Sequence, residues 1–391
     1  MSKVETNISK REENNYLIHE IEVLNKLGNL IPRKVKKILT NTRLYFIQKE
    51  LVIKVKKILT NTYLRFVLKK LVFYAFLVFI AVSLAFFIPR FVPGDPLNSI
   101  ISPPIGATPE QIEQWFKVRA NLIRYLGLDK PLWEQFLSFW GEFLKFNLGE
   151  SFSWHFTPVF EIVLTYLPYT LALVIPALLI SFFLGNWIGA RIGFQKKKRS
   201  TFVYYLFIFF QSAPYFWVSL IFFDIFILKL RIVPFIPTPD IIFDPSVILV
   251  LLQQYWLPLF TLVLTFTGGW ATGMRSMVIY ELDSDYLLFC RKLGFNEKRL
   301  RRYATRNAIL PQYTGLNLRF NELVGATLIV EWLFLWPGLG SLTYNAFMSY
   351  DYPLIIGTFI ITILVIAVGN FLIDITYSFI DPRIKTGSKE G

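Results

Sequence analysis

The sequence is poor in the residues that carry most enzyme chemistry. Its single cysteine, Cys290, excludes an internal disulfide and any Cys-rich metal site. The two histidines, His19 and His155, stand far apart and form no HExxH or comparable ligand pair, so no metal site is expected. There is no GxxxxGK(S/T) phosphate loop and no GxSxG elbow, and no nucleophile sits with a base or metal ligands. The chain is therefore expected not to be an enzyme and to hold no power source of its own. Charge is scarce too: 17% of the 391 residues, against about 25% in soluble domains. A secretory signal peptide is not expected, because the first apolar run begins 70 residues in and is too long for an h-region.

Apolar residues are plentiful, at 54% of the chain, in long uncharged stretches. A membrane-spanning helix needs about 20 such residues, because in lipid only a helix satisfies its own backbone. Leu71–Ile88, ended by Pro89 and Arg90, is the first expected span. Leu167–Ala190 is the second and Thr201–Phe223 the third. The fourth lies in Pro245–Met274, chiefly Val247–Thr267, and Tyr352–Ile373 is the last. Pro311–Val330 is apolar apart from residues such as Arg319, Asn321 and Glu322, and is expected as span five. The fold expected is all-α and polytopic, with six transmembrane helices.

Loop charge tests that count. The net charge of +14 is concentrated before span one, where residues 1–70 hold 16 Lys/Arg against 6 Glu. Such basicity suits an anionic membrane face better than nucleic acid, because the first span follows at once. The next loop is acid-rich. Arg191–Ser200 then has five basic residues and no acid, and Arg275–Arg306 has eight basic against four acidic. Basic loops alternate with neutral or acidic ones only if span five is counted. That places both termini in the cytoplasm of a multi-pass cell-membrane protein.

Three regions are expected: an extension over 1–62, a transmembrane domain over 63–385 and a tail over 386–391. The extension carries a tandem duplication, KVKKILTNTRLYF at Lys34–Phe46 and KVKKILTNTYLRF at Lys54–Phe66. Each copy reads as a basic amphipathic helix on the inner leaflet. A 20-residue shift turns the face by roughly 200°, so a break is expected near Thr40–Thr42. A recent duplication without function is the alternative.

The transmembrane domain has an extracytoplasmic insert, 93–160, and an inner loop, 275–311. In the insert, Thr108-Pro109-Glu110-Gln111 combines an N-cap, a first-turn proline and a capping-box glutamine, opening a helix stopped by Gly127. A second helix follows Pro131 and runs to about Phe146. Gly185, Gly189 and Gly193, and Gly269 with Gly273, have the four-residue spacing that permits close helix approach. Pro214, after Gln211 and Ser212, invites a kink in span three that either lines a path or simply packs.

Ionisable residues in spans are candidates for function: Asp224, Arg319, Glu322 and Asp374. Arg319 and Glu322, three apart, share a helical face and can pair beside a cavity. In a gradient-driven carrier working alone, Glu322 would instead be the coupling acid. In the inner loop Tyr286, Phe289, Cys290 and Leu293 follow helical spacing and make one apolar face, with Gly294 as the stop. Asn296 caps the next helix, with Leu300, Tyr303, Ala304 and Asn307 on one face. A short inner helix with an apolar edge suits either docking of a partner or packing beneath its own spans.

At these residues the chain resembles the permease subunits of binding-protein-dependent ABC importers, oligopeptide/dipeptide branch. The loop from Asp285-Tyr286 through Arg291 and Gly294 to Arg306-Asn307-Ala308-Ile309-Leu310-Pro311 is similar to that family's cytoplasmic coupling motif. Further matches are Pro93-Gly94-Asp95-Pro96-Leu97, Leu148-Gly149-Glu150-Ser151 and YLPYT at Tyr166–Thr170. They continue with Val330-Glu331, Phe334, Trp336-Pro337-Gly338-Leu339-Gly340, Asp351-Tyr352-Pro353 and Asp381-Pro382-Arg383. Cys290, Lys292 and Leu293 replace the family's small residues, and Asn147 replaces an aspartate. Residues 1–62 have no counterpart.

The resemblance implies the type I importer permease fold and a path for peptides, with oligosaccharides or nickel complexes carried by some relatives. It implies a second homologous permease, two ABC ATPase subunits and an extracellular substrate-binding protein as partners, besides membrane lipid. No nucleic acid is expected. ATP and Mg would be bound in the partners, and this chain would carry no cofactor. Coupling would fall to Asp285, Tyr286, Phe289, Cys290, Arg291, Gly294, Arg306, Asn307 and Pro311. The path or gate would involve Gln211, Ser212, Pro214, Arg319, Glu322, Glu331, Pro337 and Gly338.

Overall fold

The computed structural model describes residues 62–91, 106, 108–125, 127, 129–194, 198–233 and 245–380. The duplication, the expected break near Thr40–Thr42, the Pro93–Leu97 motif and the tail lie outside these residues. The chain divides after Lys69 into two compact units. Described residues of the first are the opening turns of helix α1 (Thr62–Phe91). All packing below belongs to the second.

The elements are helical apart from one short antiparallel ladder among the described residues. Helices α2 (Pro109–Tyr125) and α3 (Leu132–Phe143) form the insert, followed by strands β1 (Glu150–Ser151) and β2 (Thr157–Pro158). Glu150 pairs with Pro158 and Ser151 with Thr157. Then come α4 (Val159–Phe194), α5 (Lys198–Ser212), α6 (Tyr215–Phe222) and a π-helical turn over Phe223–Lys229. The long α7 (Pro245–Leu282) leads to α8 (Asp285–Lys292) and α9 (Glu297–Thr314). The chain closes with α10 (Leu316–Leu333), α11 (Leu339–Met348) and α12 (Tyr352–Ile380).

Among the described residues, four helices are long and apolar enough to cross a bilayer, at 63–87, 159–194, 252–282 and 352–377. A fifth crossing exists if α5 and the helix from Tyr215 to Lys229 count together, bent by 101° at the Ala213-Pro214 break. The expected kink in span three is thus a sharp corner. Proline supplies no N–H there and fixes its own φ, so α5 ends and α6 restarts. The first span does not stop at Pro89, as expected, but continues as helix to Phe91. A proline so close to a helix end removes only one backbone bond. Nor does the inner loop begin at Arg275, because α7 runs on to Leu282. Arg275 lays its guanidinium over the Tyr204 ring at 4.0 Å, keeping its charge at the helix edge.

Glycine sets the closest helix contact. A Cβ on Gly185 would stand 2.5 Å from Cβ of Trp270 and one on Gly189 would meet the Ala271 carbonyl, while Gly193 faces Val278. The stripe expected to pack is the seam between α4 and α7. Beside it, Leu173 and Val174 of α4, Leu257 and Leu262 of α7, and Leu323 and Val330 of α10 form the main core.

The first helix of the insert is built as its capping signals predict, whereas the second ends at Phe143, short of the expected Phe146, which takes φ +61°. Thr108 and Gln111 bond reciprocally, backbone N–H to side-chain oxygen, at 3.0 and 3.4 Å, and Gly127 takes φ +64° at the stop. Helix α3 lays Phe136, Phe139 and Trp140 against Phe79, Phe86 and Phe87 of α1, with ring centroids 4.9 to 5.5 Å apart across the main pairs. Glu142 accepts bonds from Lys145 and Asn147, which hold its carboxyl below the usual carboxylate range. Asn147 also accepts from the Gly149 N–H. An aspartate at 147 would set a second carboxylate against Glu142, so the amide suits this neighbour.

Two pairs of distant motifs meet. Asp351, buried before α12, accepts from the Ser151 hydroxyl at 2.5 Å and from the Ser153 N–H and hydroxyl at 2.9 and 2.7 Å. The Trp336–Gly340 turn folds onto the start of α4, where the Trp336 indole donates to the Tyr169 carbonyl and the Leu339 N–H donates to the Thr170 hydroxyl.

Candidate functional site: an inner knob and a polar recess

Two places gather the residues singled out in the sequence. The first is the α8–α9 knob. Ser284 stands extended at the start of α8 with its hydroxyl turned back to the Glu281 carbonyl, and Gly294 ends the helix at φ +78°, a left-handed turn that favours glycine. Asn296 then accepts from the Lys298 N–H at 3.0 Å and starts α9. The knob is held by Leu287, which the helical spacing had not singled out. It is 3% exposed and packs with Leu300 and Ala304, flanked by Phe194, Leu282, Cys290 and Phe295.

Anchoring through Leu287 turns the opposite edge outward. Phe289 is 62% exposed and Leu293 59%, with Tyr286 also exposed, whereas Cys290 is half-buried. The expected single apolar face is therefore split. Cys290 turns toward α9, Phe289 and Leu293 face outward, and Tyr286 keeps an exposed ring edge while its hydroxyl turns back to the protein. In α9, Leu300, Ala304 and Ala308 are buried at four-residue spacing, while Tyr303 and Asn307 are exposed.

A polar latch joins the knob to the spans. The Tyr286 hydroxyl donates to Glu281 Oε2 at 2.5 Å, and Asn307 Nδ2 donates to the Tyr286 hydroxyl at 2.7 Å and weakly to Glu281 at 3.4 Å. Burial and the Glu281 carboxylate raise the Tyr286 phenol, which keeps its proton and its role as donor. Glu281 at the end of α7 was not foreseen. Arg291 reaches Glu297 at 3.5 Å, an exposed pair that fixes little. Asp285 opens α8, Arg306 lies exposed on α9, and Pro311 sits inside α9 one turn before its end.

The second place is the corner between α5 and α6. A recess of about 160 Å³ is lined by Gln211, Ser212, Pro214 and Tyr215, by Thr265 of α7, and by Arg319 with Glu322 of α10. Arg319 Nη1 donates to Glu322 Oε2 at 2.9 Å, and both side chains remain partly open, at 31% and 53% exposure. A Cβ on Gly269 would stand 2.6 Å from Arg319 Nη2, so that glycine makes room for the guanidinium. Gln211 accepts from the Thr272 hydroxyl at 2.6 Å, tying α5 to α7. Five of the expected path residues thus share one recess.

The other three lie elsewhere. Glu331 is fully buried, accepting from the Gly340 N–H at 2.7 Å. Gly338 leaves the space its carboxylate fills, and Pro337 is buried in the same turn. The remaining ionisable residues also find partners. Asp224 pairs with Lys229 in the π-helical turn at 2.6 Å. Asp374 binds Lys70 at 2.7 Å, and accepts from Tyr74 and Asn317 at 2.8 Å each. This clasp joins α1, α10 and α12, and no short-range pattern could have shown it.

Residues 185–386, which include the recess and the knob, match the family described as binding-protein-dependent transport system inner membrane component. The chain belongs to that family, and is an all-α, multi-pass membrane permease rather than an enzyme. It is 30% identical over 316 residues to the oligopeptide transport system permease protein AppB of Bacillus subtilis, covering 77% of this chain and 93% of AppB. It is 28% identical over 327 residues to an Escherichia coli protein named "Probable D,D-dipeptide transport system permease protein DdpB", covering 78% and 93%.

Proposed function

We propose that the chain is one transmembrane subunit of an ABC importer for peptides, and that α8 is its contact with an ATPase. The reading of peptides as cargo is supported by the names of the relatives. The contact is supported by one observation above the others. Tyr286, Phe289 and Leu293 stand exposed on a helix fixed from behind by Leu287 and latched by Glu281 and Asn307. Large apolar side chains on a rigid, basic projection suit a protein groove better than water.

In this reading α10 is a further span, making six with the bent pair. Its charges turn inward, to the recess and the Trp336–Gly340 turn, which is why its composition is less apolar. Both termini lie in the cytoplasm with the knob, where α8 would ride on one of two ATPases that bind ATP and Mg. A second permease completes the path, and an extracytoplasmic binding protein delivers the cargo. The α5–α6 corner, Arg319 and Glu322 line the path. Glu331, Pro337 and Gly338 act from behind it, by fixing the end of α10 against α4. The extension over 1–62 lies on the inner leaflet.

Replacing Phe289 with aspartate tests the docking role. The side chain is exposed, so the variant is expected to insert in the membrane at wild-type level but to lose its ATPases on purification, and ATP-driven uptake with them. Normal assembly and uptake would refute the role.

A further inference from the structure

The polar recess at the α5–α6 corner has a charge pattern that the general function does not explain. It opens between the C-terminal end of one helix and the start of another, and places a guanidinium and a carboxylate side by side. The α5 end is the negative pole of its helix, and Pro214 supplies no N–H to the Phe210 carbonyl one turn back. The α6 start, at Tyr215, is a positive pole and has no side-chain cap. Arg319 and Glu322 repeat this duality in full charges. The recess is neutral overall but strongly dipolar. A lone ion would meet its like charge there, and an apolar solute would leave both charges unmatched. A solute that carries one charge of each sign can face both.

We infer that the recess selects the zwitterionic main-chain ends of a peptide, with a carboxylate opposite Arg319 and an ammonium opposite Glu322. The inference rests on the peptide reading above and deepens it, adding a specificity site within the path. At about 160 Å³ the recess has room for roughly five waters, about the size of a small dipeptide, so both charged ends of so short a peptide can lie in it but those of a long chain cannot. Arg319 keeps donors beyond the one given to Glu322, and its planar fork matches a carboxylate. Glu322, the more exposed of the two, is open to an incoming ammonium. The two side chains bond to each other at 2.9 Å, and a solute's two ends would replace that one bond with two. Gln211, Ser212 and Tyr215 line the same recess with neutral polar groups.

The test uses the complete importer, with its second permease, ATPases and binding protein, in proteoliposomes. Uptake of an unmodified dipeptide, its C-terminal amide and its N-acetyl form is measured for wild type, Arg319→Gln and Glu322→Gln. The ratio of variant to wild type is taken for each peptide, which removes the binding protein's own preference. Arg319→Gln is expected to lower uptake of the free-carboxylate peptide by about tenfold relative to its effect on the amide. Glu322→Gln is expected to do the same for the free-amine peptide relative to the acetylated one. Equal losses for capped and uncapped peptides in both variants would overturn the inference, leaving an ion pair that only holds α10. If Arg319→Gln fails to assemble, Arg319→Lys and the Glu322→Gln arm carry the same comparison. Wild-type complexes that take up no peptide at all would instead overturn the peptide reading, and this inference with it.

Discussion

Asp351 shows how much one buried carboxylate organises. It accepts three bonds from Ser151 and Ser153 on one side, and its other oxygen accepts from the Leu354 N–H at 3.2 Å, capping α12. Asp351→Ala takes away the carboxylate that accepts from Ser151 and Ser153 in a buried place, and removes the cap. We expect it to cost about 3 kcal/mol, read as a lower unfolding midpoint in detergent. Asp351→Asn, whose amide oxygen still accepts, should lose less. An alanine variant as stable as wild type would show that the cluster is idle. At this scale the sequence was informative wherever the signal was local. The Thr108–Gln111 box, the Asn296 cap and the Gly294 stop all stand at their expected residues, because each is decided within four positions. Leu287 was missed because helical spacing identifies an apolar set without saying which member faces inward. The partners of Asp374 were not legible, because Tyr74 and Asn317 lie 300 and 57 positions away.

Among elements, the α4–α7 pair is fixed by absent side chains. Gly189 presses on the Ala271 carbonyl, a backbone atom that cannot rotate aside. Gly189→Val should therefore force the helices apart and cost at least 1–3 kcal/mol, seen as aggregation or early unfolding in detergent. Gly141 in α3 is the control, since a Cβ there would meet nothing within 4 Å. Gly141→Ala should be neutral or stabilising by about 0.5–1 kcal/mol. If both variants behave alike, the close approach at Gly189 is not what sets the pair. The spans were legible as elements because lipid demands uninterrupted apolar length. Their ends were not. Helices continue beyond the apolar window wherever a charged side chain can lie along its own helix or over a ring, as Arg275 does on Tyr204. Pro214 announced a break, but its 101° corner depends on what α6 packs against, including Phe260 on α7, which stacks with Phe222.

For the whole molecule, the organisation separates three tasks. Glycine seams and the Trp336–Gly340 turn hold the spans together, the α5–α6 corner presents paired charges, and α8 projects an apolar edge on a fixed base. No short-range motif in the sequence joins the recess to the knob. Continuous helix and packing do so: α9 packs under α8 through Leu300 and Ala304, and after Gly315 α10 carries Arg319 and Glu322 into the recess. In the proposed reading, a tilt of α8 would reach that ion pair along this path. The direct measurement is accumulation of labelled peptide in proteoliposomes supplied with ATP and the binding protein, comparing complete importer with permease subunits alone. The account predicts accumulation only with the ATPases present, and none when Phe289→Asp replaces the wild-type chain. Accumulation by the permease subunits without ATPases would contradict it.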